Sequence, residues 1–235
     1  MKLGPFLVYA RNTLTVAVPT AVLAVTLAVL LGYGRRLGLS RAGRVAIRVA
    51  AMGYAIPGAV IAVGVLVPVT SFDNALDAWM RAQFGISTGL LLSGSLAAIV
   101  FAYLVRFMAV AFNTVESGLE KVTPSMDAAA RSLGRSPLDT LRRIHLPMMR
   151  ASLTTAALLV FVDVMKELPA TLMMRPFNFD TLAIKAHELA SDERLAEAAL
   201  PSLAIVAVGV IPVILMSRAI AVSRPGAQAA ETGEG

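Results

Sequence analysis

Residues Thr123–Pro147 read TPSMDAAARSLGRSPLDTLRRIHLP, and this stretch predicts two short helices joined by a sharp turn. Thr123 followed by Pro124 is a favourable helix start, because threonine caps a helix and proline fits its first turn. Gly134 supplies a residue that readily takes the left-handed conformation that ends a helix. Ser136–Asp139 then repeats the starting pattern of cap, proline and acid. Two compact helices with an alanine face and basic edges indicate a docking element for a partner protein; the alternative is an ordinary capped connector.

The composition of the whole chain places this loop in a membrane protein. Of 235 residues, 57% are hydrophobic and only 15% are charged, whereas soluble domains carry about 25% charged residues. The chain has no cysteine, which excludes a disulfide framework and thiolate metal sites. We therefore predict an all-α integral membrane protein.

Five stretches are long and apolar enough to cross a bilayer, which takes roughly 20 helical residues. They are residues 14–33, 49–69, 90–112, 152–173 and 199–216. Pro147 is expected to close the loop before the fourth span, and residues 71–87 are expected to form an interfacial amphipathic segment. Residues 1–222 are assigned to one transmembrane domain. The polar, Gly-containing tail 223–235 is expected to be disordered.

Lysine and arginine are distributed unequally between the two sides of these spans. Thirteen lie in residues 34–48, 113–151 and 217–235, and six lie in the remaining connecting segments. Because cytoplasmic loops are enriched in Lys and Arg, we expect the N-terminus outside and the C-terminus and residues 123–147 in the cytoplasm. The net charge of +6 is then mainly an orientation signal, and a nucleic-acid partner is not expected.

The same loop resembles a known motif. The run AAARSLG, then nine residues, then Ile-His-Leu-Pro, resembles the EAA loop of ATP-binding-cassette (ABC) importer permeases. The matching positions are Ala129, Ala130, Gly134, Ile144, Leu146 and Pro147. Where the EAA motif has its glutamate, this chain has Ala128. The nearest acidic residue, Asp127, lies one position earlier in the sequence.

The resemblance implies a type I ABC importer permease of the bacterial or archaeal inner membrane, with five transmembrane helices and a two-helix coupling loop. In that family the coupling helices sit in a cleft of a separate cytoplasmic ATPase, and a periplasmic or lipid-anchored binding protein delivers the solute. ATP would bind the partner, so no cofactor and no catalytic residue are expected in this chain. In agreement, the sequence has no G-x-x-x-x-G-K-[ST] phosphate loop.

Three further stretches resemble permeases for ferric iron: Lys166–Ala183, Gly53–Gly58 and Asn12–Ala17. Ferric iron is therefore the expected solute, with thiamine, a polyamine or another small solute as alternatives. Such permeases commonly contain two homologous halves, and this chain resembles the second half, with one coupling loop. It either pairs with a second half or a second copy, or is a truncated piece of a longer protein.

Charged residues within membrane spans are costly to insert, about 2.5–3.5 kcal/mol each, and therefore often mark a functional site. Four residues near the end of the fourth span are candidates for the translocation path. Asp163 and Lys166 can pair at i,i+3, Glu167 shares a face with Asp163, and Pro169 breaks the helix beside them. An acidic lining would suit a trivalent cation, because hard cations favour oxygen ligands. The alternatives are a neutralised structural cluster, or the coupling carboxylates of an ion-driven secondary transporter.

Three other polar or helix-breaking residues have separate interpretations. Pro57 is expected to kink the second span and to line the path. Arg106 in the third span is interpreted as a snorkelling or packing residue. His187, beside Glu188, is assigned to a solvated face and not to a metal site.

Overall fold

The computed structural model describes residues 3–38 and 40–222, and every regular element in this part of the chain is helical. The elements are α1 (Leu3–Arg36), α2 (Arg41–Ala50), a 3-10 turn (Gly53–Ala55), α3 (Gly58–Phe84), α4 (Leu96–Leu119), α5 (Pro124–Ser132), α6 (Pro137–Thr140), a π-helical segment (Leu141–His145), α7 (Leu146–Met165), α8 (Pro169–Met174), α9 (Leu182–Ser191) and α10 (Leu195–Val222). The all-α fold class predicted from the sequence is confirmed.

The centre of the molecule is a bundle of α1, α4 and α7, and small residues allow these helices to approach closely. The buried alanines at the helix contacts are Ala17, Ala21, Ala24, Ala28, Ala102, Ala111 and Ala156. A Cβ on Gly118 of α4 would lie 2.7 Å from Cβ of Ser152 on α7. Membrane helices associate through such small-residue contacts, because lipid provides no hydrophobic drive between them.

Within the described part of the chain, four helices are long and apolar enough to cross a membrane: Gly4–Arg36, Gly58–Phe84, Leu96–Leu119 and the continuous stretch Pro137–Met165. The fifth predicted span, 199–216, lies within α10, whose apolar portion Leu195–Val210 is shorter than the other four. A fifth crossing therefore stays a prediction. The predicted tail 223–235 lies outside the described residues.

The second span differs from its predicted bounds of 49–69. Its helix begins at Gly58, because Ile56 is extended before Pro57, which takes the N-cap position of α3. Pro57 therefore starts the helix and does not kink it. The helix then continues to Phe84, where Gly85 at φ +68° ends it. Most of the segment predicted at 71–87 is therefore the last part of α3, and its interfacial position stays a prediction.

The third and fourth spans also have different limits. The third helix begins at Leu96 and not at 90, since the Ser95 side chain caps it by accepting from the Ala98 amide at 3.2 Å. The fourth does not run to 173: α7 ends at Met165, and a short α8 begins at Pro169 after a break. The helix break predicted at Pro169 is confirmed.

Candidate functional site

Residues 123–147 form two short helical stretches at one end of the bundle, called here the loop end. Gly134, at φ +70°, makes the left-handed turn between α5 and α6. Pro124 and Pro137 each lie in the first turn of their helices, as predicted. The Thr123 side chain does not cap α5, because its hydroxyl pairs with that of Ser125 at 2.8 Å.

The second stretch of the loop is continuous with the membrane helix. The π-helical segment Leu141–His145 joins α6 to α7, and its flanking residues keep right-handed helical angles. Pro147 therefore lies in the first turn of α7 and does not close the loop. A proline has no N–H to donate, and a π segment just before it is one way for a helix to accommodate the missing bond.

The surface of the loop is apolar at its turn and basic at its edge. Leu133 is 79% exposed and Leu138 is 52% exposed. Between α5 and the α6–π stretch lies a groove of about 390 Å³. Its lining includes Met126, Ala129, Ala130, Leu133, Arg135, Arg143 and Ile144. This is an apolar depression with Arg135, Arg143 and Asp139 at its margin.

Of the residues expected to contact a partner, only some face outward. Ala128, Ala129 and Pro147 are exposed, and Ile144 and Leu146 are half-buried. Ala130 is buried.

Asp127 is turned into the protein and joins three elements. Its Oδ2 accepts from Nε of Arg36 at 2.7 Å, and its Oδ1 lies 2.7 Å from Nε2 of His145. Arg36 also donates to the carbonyls of Leu119 and Val122, at 2.9 and 2.6 Å. We call Arg36, Asp127 and His145 the loop lock, because they fasten α5 to the end of α1 and to the start of α7.

His145 is fully buried within this loop lock, and Tyr33 packs its ring edge-on against it with centroids 5.2 Å apart. The Tyr33 hydroxyl donates to the carbonyl of Pro137 at 2.7 Å. Burial raises the pKa of the Asp127 carboxyl, but the hydrogen bonds from Arg36 and His145 outweigh burial and hold that pKa below its ordinary value. Asp127 is therefore an ionised acceptor shared by two bases.

A second group of charges, the mid-bundle cluster, consists of Asp163, Lys166, Glu167 and Arg106. Nζ of Lys166 lies 2.8 Å from Oδ1 of Asp163, which confirms the i,i+3 pair expected from the sequence. Oε2 of Glu167 lies 3.0 Å from Nε of Arg106, and its Oε1 accepts from the Ala170 amide at 3.1 Å. Both predicted path carboxylates are thus occupied by cations of the same chain.

Arg106 makes specific contacts inside the bundle. Its guanidinium pairs with Glu167 and donates to the Ile56 carbonyl at 3.0 Å, which does not fit snorkelling to the interface and leaves the packing interpretation in place. Gly58 leaves room for this pair: a Cβ there would lie 2.9 Å from Nη1 of Arg106. Arg106 therefore ties the start of α3 to the break between α7 and α8.

The segment 175–197 lies at the opposite end of α1 from the loop. Asn12 donates to the Asp180 carbonyl at 3.0 Å, and the Leu182 amide donates to the Thr13 hydroxyl at 2.9 Å. Arg175 pairs with Asp180 and with Glu188. No group of three or more His, Cys, Asp or Glu able to hold a metal ion occurs among residues 3–38 and 40–222.

Sequence comparison places these features in a family context. The family described as "Binding-protein-dependent transport system inner membrane component" matches residues 12–226. The Fe(3+)-transport system permease protein FbpB 2 of Haemophilus influenzae is 33% identical over 120 residues, which are 51% of this chain and 24% of that protein. A putative 2-aminoethylphosphonate transport system permease protein, PhnV of Salmonella typhimurium, is 28% identical over 127 residues, 54% of this chain and 48% of the relative. The matched segments span less than half of either relative.

Solved structures show the same fold. A bacterial ABC transporter involved in the import of the acidic polysaccharide alginate superposes with a TM-score of 0.70 at 11% identity, covering 91% of this chain and 79% of the other. The bacterial alginate ABC transporter in complex with an alginate pentasaccharide-bound periplasmic protein gives a TM-score of 0.62 at 14% identity, with 93% and 78% coverage.

Proposed function

We propose that this chain, which belongs to the family of binding-protein-dependent transport system inner membrane components, couples solute passage to a separate ATPase through residues 123–147. The chain is an ABC importer permease, and we assign its coupling surface to residues 123–147. The resemblance to the EAA loop and the exposed apolar turn at Leu133 both support this assignment.

One observation carries the proposal: the loop is mechanically joined to the membrane helices. The loop lock holds α5 against α1 and α7, and α6 continues through the π-helical segment into α7. A push on the loop would therefore be transmitted along α7 toward Lys166 and Glu167, where the helix breaks. Closure of an ATPase on ATP would shift the population between inward-open and outward-open arrangements.

The remaining partners follow from the same proposal. The basic bias of the connecting segments supports a cytoplasmic position for residues 123–147 and an outside N-terminus. Residues 175–197 would then face a periplasmic or lipid-anchored binding protein. A second permease half or a second copy of this chain would complete the path.

The solute is proposed only as a small molecule delivered by such a protein. Relatives named for Fe(3+) and for 2-aminoethylphosphonate are both similar to this chain, so ferric iron is one of two solutes that the relatives support. An ion-driven secondary transporter is the alternative mechanism. Uptake that survives depletion of ATP but collapses with the proton gradient would favour it.

The coupling surface is tested by substituting Gly134 with valine. A side chain at φ +70° is strained, so the turn between α5 and α6 should distort, and solute-stimulated ATPase activity of the complex isolated through a tag on this chain should be lost. Gly85→Val is the matched control. Gly85 has φ +68° and no neighbour that a Cβ would meet, like Gly134, but it ends α3 outside the loop.

The control variant should keep its coupled activity. Coupling that survives Gly134→Val, or that is lost equally in both variants, would contradict the assignment of residues 123–147 as the coupling surface.

A further inference from the structure

In both ion pairs of the mid-bundle cluster, the base is the more exposed partner. The Lys166 side chain is 61% exposed and that of Asp163 is 11% exposed. For Arg106 and Glu167 the fractions are 21% and 5%. The acids face inward against backbone and base, so the accessible charge of the cluster is positive.

The cluster lies deep within the bundle. Arg106 is ten residues from Glu116, which pairs with Arg35 near the loop end; at 1.5 Å per residue this is about 15 Å along α4. On α1 the distance from Asn12, at the opposite end, to Arg35 is about 35 Å by the same rise. Arg106 is therefore near half-depth. Glu167 pairs with Arg106, so the α7–α8 break lies within the reach of these two side chains from that level.

An ammonium group that is mostly exposed at this depth cannot face lipid without a large cost. The face that carries Lys166 must then border a partner subunit or a water-filled path. Asp163 occupies one of the three donors of the ammonium, so donors remain for another acceptor. Tyr54, half exposed, packs its ring near Phe107, and Arg106 lies over that same ring at 5.6 Å.

We propose that the mid-bundle cluster presents a basic face to the translocation path and selects solutes that carry an oxyanion group. Phosphate and carboxylate groups have the acceptor chemistry that guanidinium and ammonium donors recognise. A ferric ion would fit this face as an anionic polycarboxylate chelate rather than as a bare cation. The inference rests on the proposed function, since it requires that the solute pass this cluster.

The test is equilibrium binding to the complex isolated through a tag on this chain and placed in nanodiscs of neutral lipid. The probes are inorganic phosphate, citrate and ferric citrate, with putrescine as a cation. We expect saturable binding of at least one oxyanion probe and none of putrescine. Binding of citrate with or without iron indicates free oxyanions, and binding of ferric citrate alone indicates a chelate; both support the proposal.

The decisive variant is Asp163→Asn/Lys166→Gln, which removes both charges together and leaves no unpaired carboxylate. Losing one charge-assisted contact should weaken oxyanion binding about tenfold. The control is Arg35→Gln/Glu116→Gln, since Arg35 and Glu116 form another acid–base pair, near the loop end of the bundle and away from the mid-bundle cluster. Putrescine binding in place of the oxyanions, absence of oxyanion binding, or unchanged oxyanion binding in Asp163→Asn/Lys166→Gln would overturn the proposal.

The two proposals fail separately. If no ATPase co-isolates with the tagged chain, the coupling function fails whatever solute binds. If the ATPase co-isolates and Gly134→Val uncouples it, but putrescine binds instead of the oxyanions, only the selection of oxyanions fails.

Discussion

The loop lock and the mid-bundle cluster contain the same chemical groups in different arrangements. In the loop lock one carboxylate, Asp127, is shared by Arg36 and His145, and all three side chains are largely or fully screened from solvent. In the mid-bundle cluster, Arg106 and Lys166 each have a carboxylate of their own and are its more exposed partner. A shared acid fastens several elements together. Separate pairs with outward-facing bases leave positive charge accessible to a passing solute.

The largest effect should come from Asp127→Ala. This substitution removes the carboxylate that Arg36 and the buried His145 share, and removing one partner of a buried pair costs about 3–5 kcal/mol. The free energy of unfolding, measured by denaturant titration in detergent, should fall by about 3 kcal/mol. Co-isolation of the ATPase should fall as well, since α5 loses its attachment.

Asp139→Ala is the control for this substitution. Asp139 lies on the same loop, but its pair with Arg143 is 4.0 Å long and solvent-exposed, so the loss should stay below about 0.5 kcal/mol. Equal losses in the two variants would contradict the distinction between a loop lock and a surface pair.

A double-mutant cycle on Arg106 and Glu167 should give the next largest effect. Arg106→Leu alone leaves the nearly buried Glu167 carboxylate unpaired and should cost about 2–4 kcal/mol of unfolding free energy. Arg106→Leu/Glu167→Leu removes both charges and should be more stable than Arg106→Leu. A double variant as unstable as the sum of the two single variants would show that Arg106 and Glu167 do not stabilise each other.

Acidification should weaken the loop lock by a smaller amount. The pKa of Asp127 is lower in the folded protein than its ordinary value of about 3.9, so the stability due to its ionised form is fully present above that value. It is lost as the pH falls through the lower folded pKa. The difference in unfolding free energy between the wild type and Asp127→Asn should shrink below about pH 4. A difference that grows on acidification would have the wrong sign.

The smallest stability effect should come from Asp163→Asn/Lys166→Gln. Both charges of the pair are removed together, so no carboxylate is left unpaired, and the unfolding free energy should change by less than about 1 kcal/mol while oxyanion binding weakens. This contrast separates the two regions directly, because the loop lock should affect stability and Lys166 should affect selection. A large loss of stability with unchanged binding would reverse the assignment.

The features predicted correctly are those that local sequence determines. The left-handed turn at Gly134, the start of α6 at Pro137 and the Asp163–Lys166 pair all depend on residues within one or two helical turns of each other. The start of α3 was also signalled locally, since the residue before a proline avoids the helical region. The predicted start of the second span, residue 49, is too early because the hydrophobic stretch continues unbroken through Pro57.

The features missed are contacts between distant parts of the chain. Arg36 and Asp127 are 91 positions apart, and nothing in one sequence indicates that the end of α1 meets the start of α5. Arg106 and Glu167 belong to different helices, so periodicity within either helix gives no sign of the pair. In the sequence, His145 stands out only as the residue between Ile144 and Leu146 of the Ile-His-Leu-Pro run, and its pairing with Asp127 is not indicated.

The π-helical segment Leu141–His145 sets the angular phase between α6 and α7. A π turn holds one residue more than an α turn, and one residue corresponds to about 100° of rotation about the helix axis. Deleting a single residue there would restore an uninterrupted α-helix, and it would swing the face of α6 about a quarter of a turn relative to α7. Orientation of the loop and insertion of the membrane helix can therefore be varied independently by a single insertion or deletion.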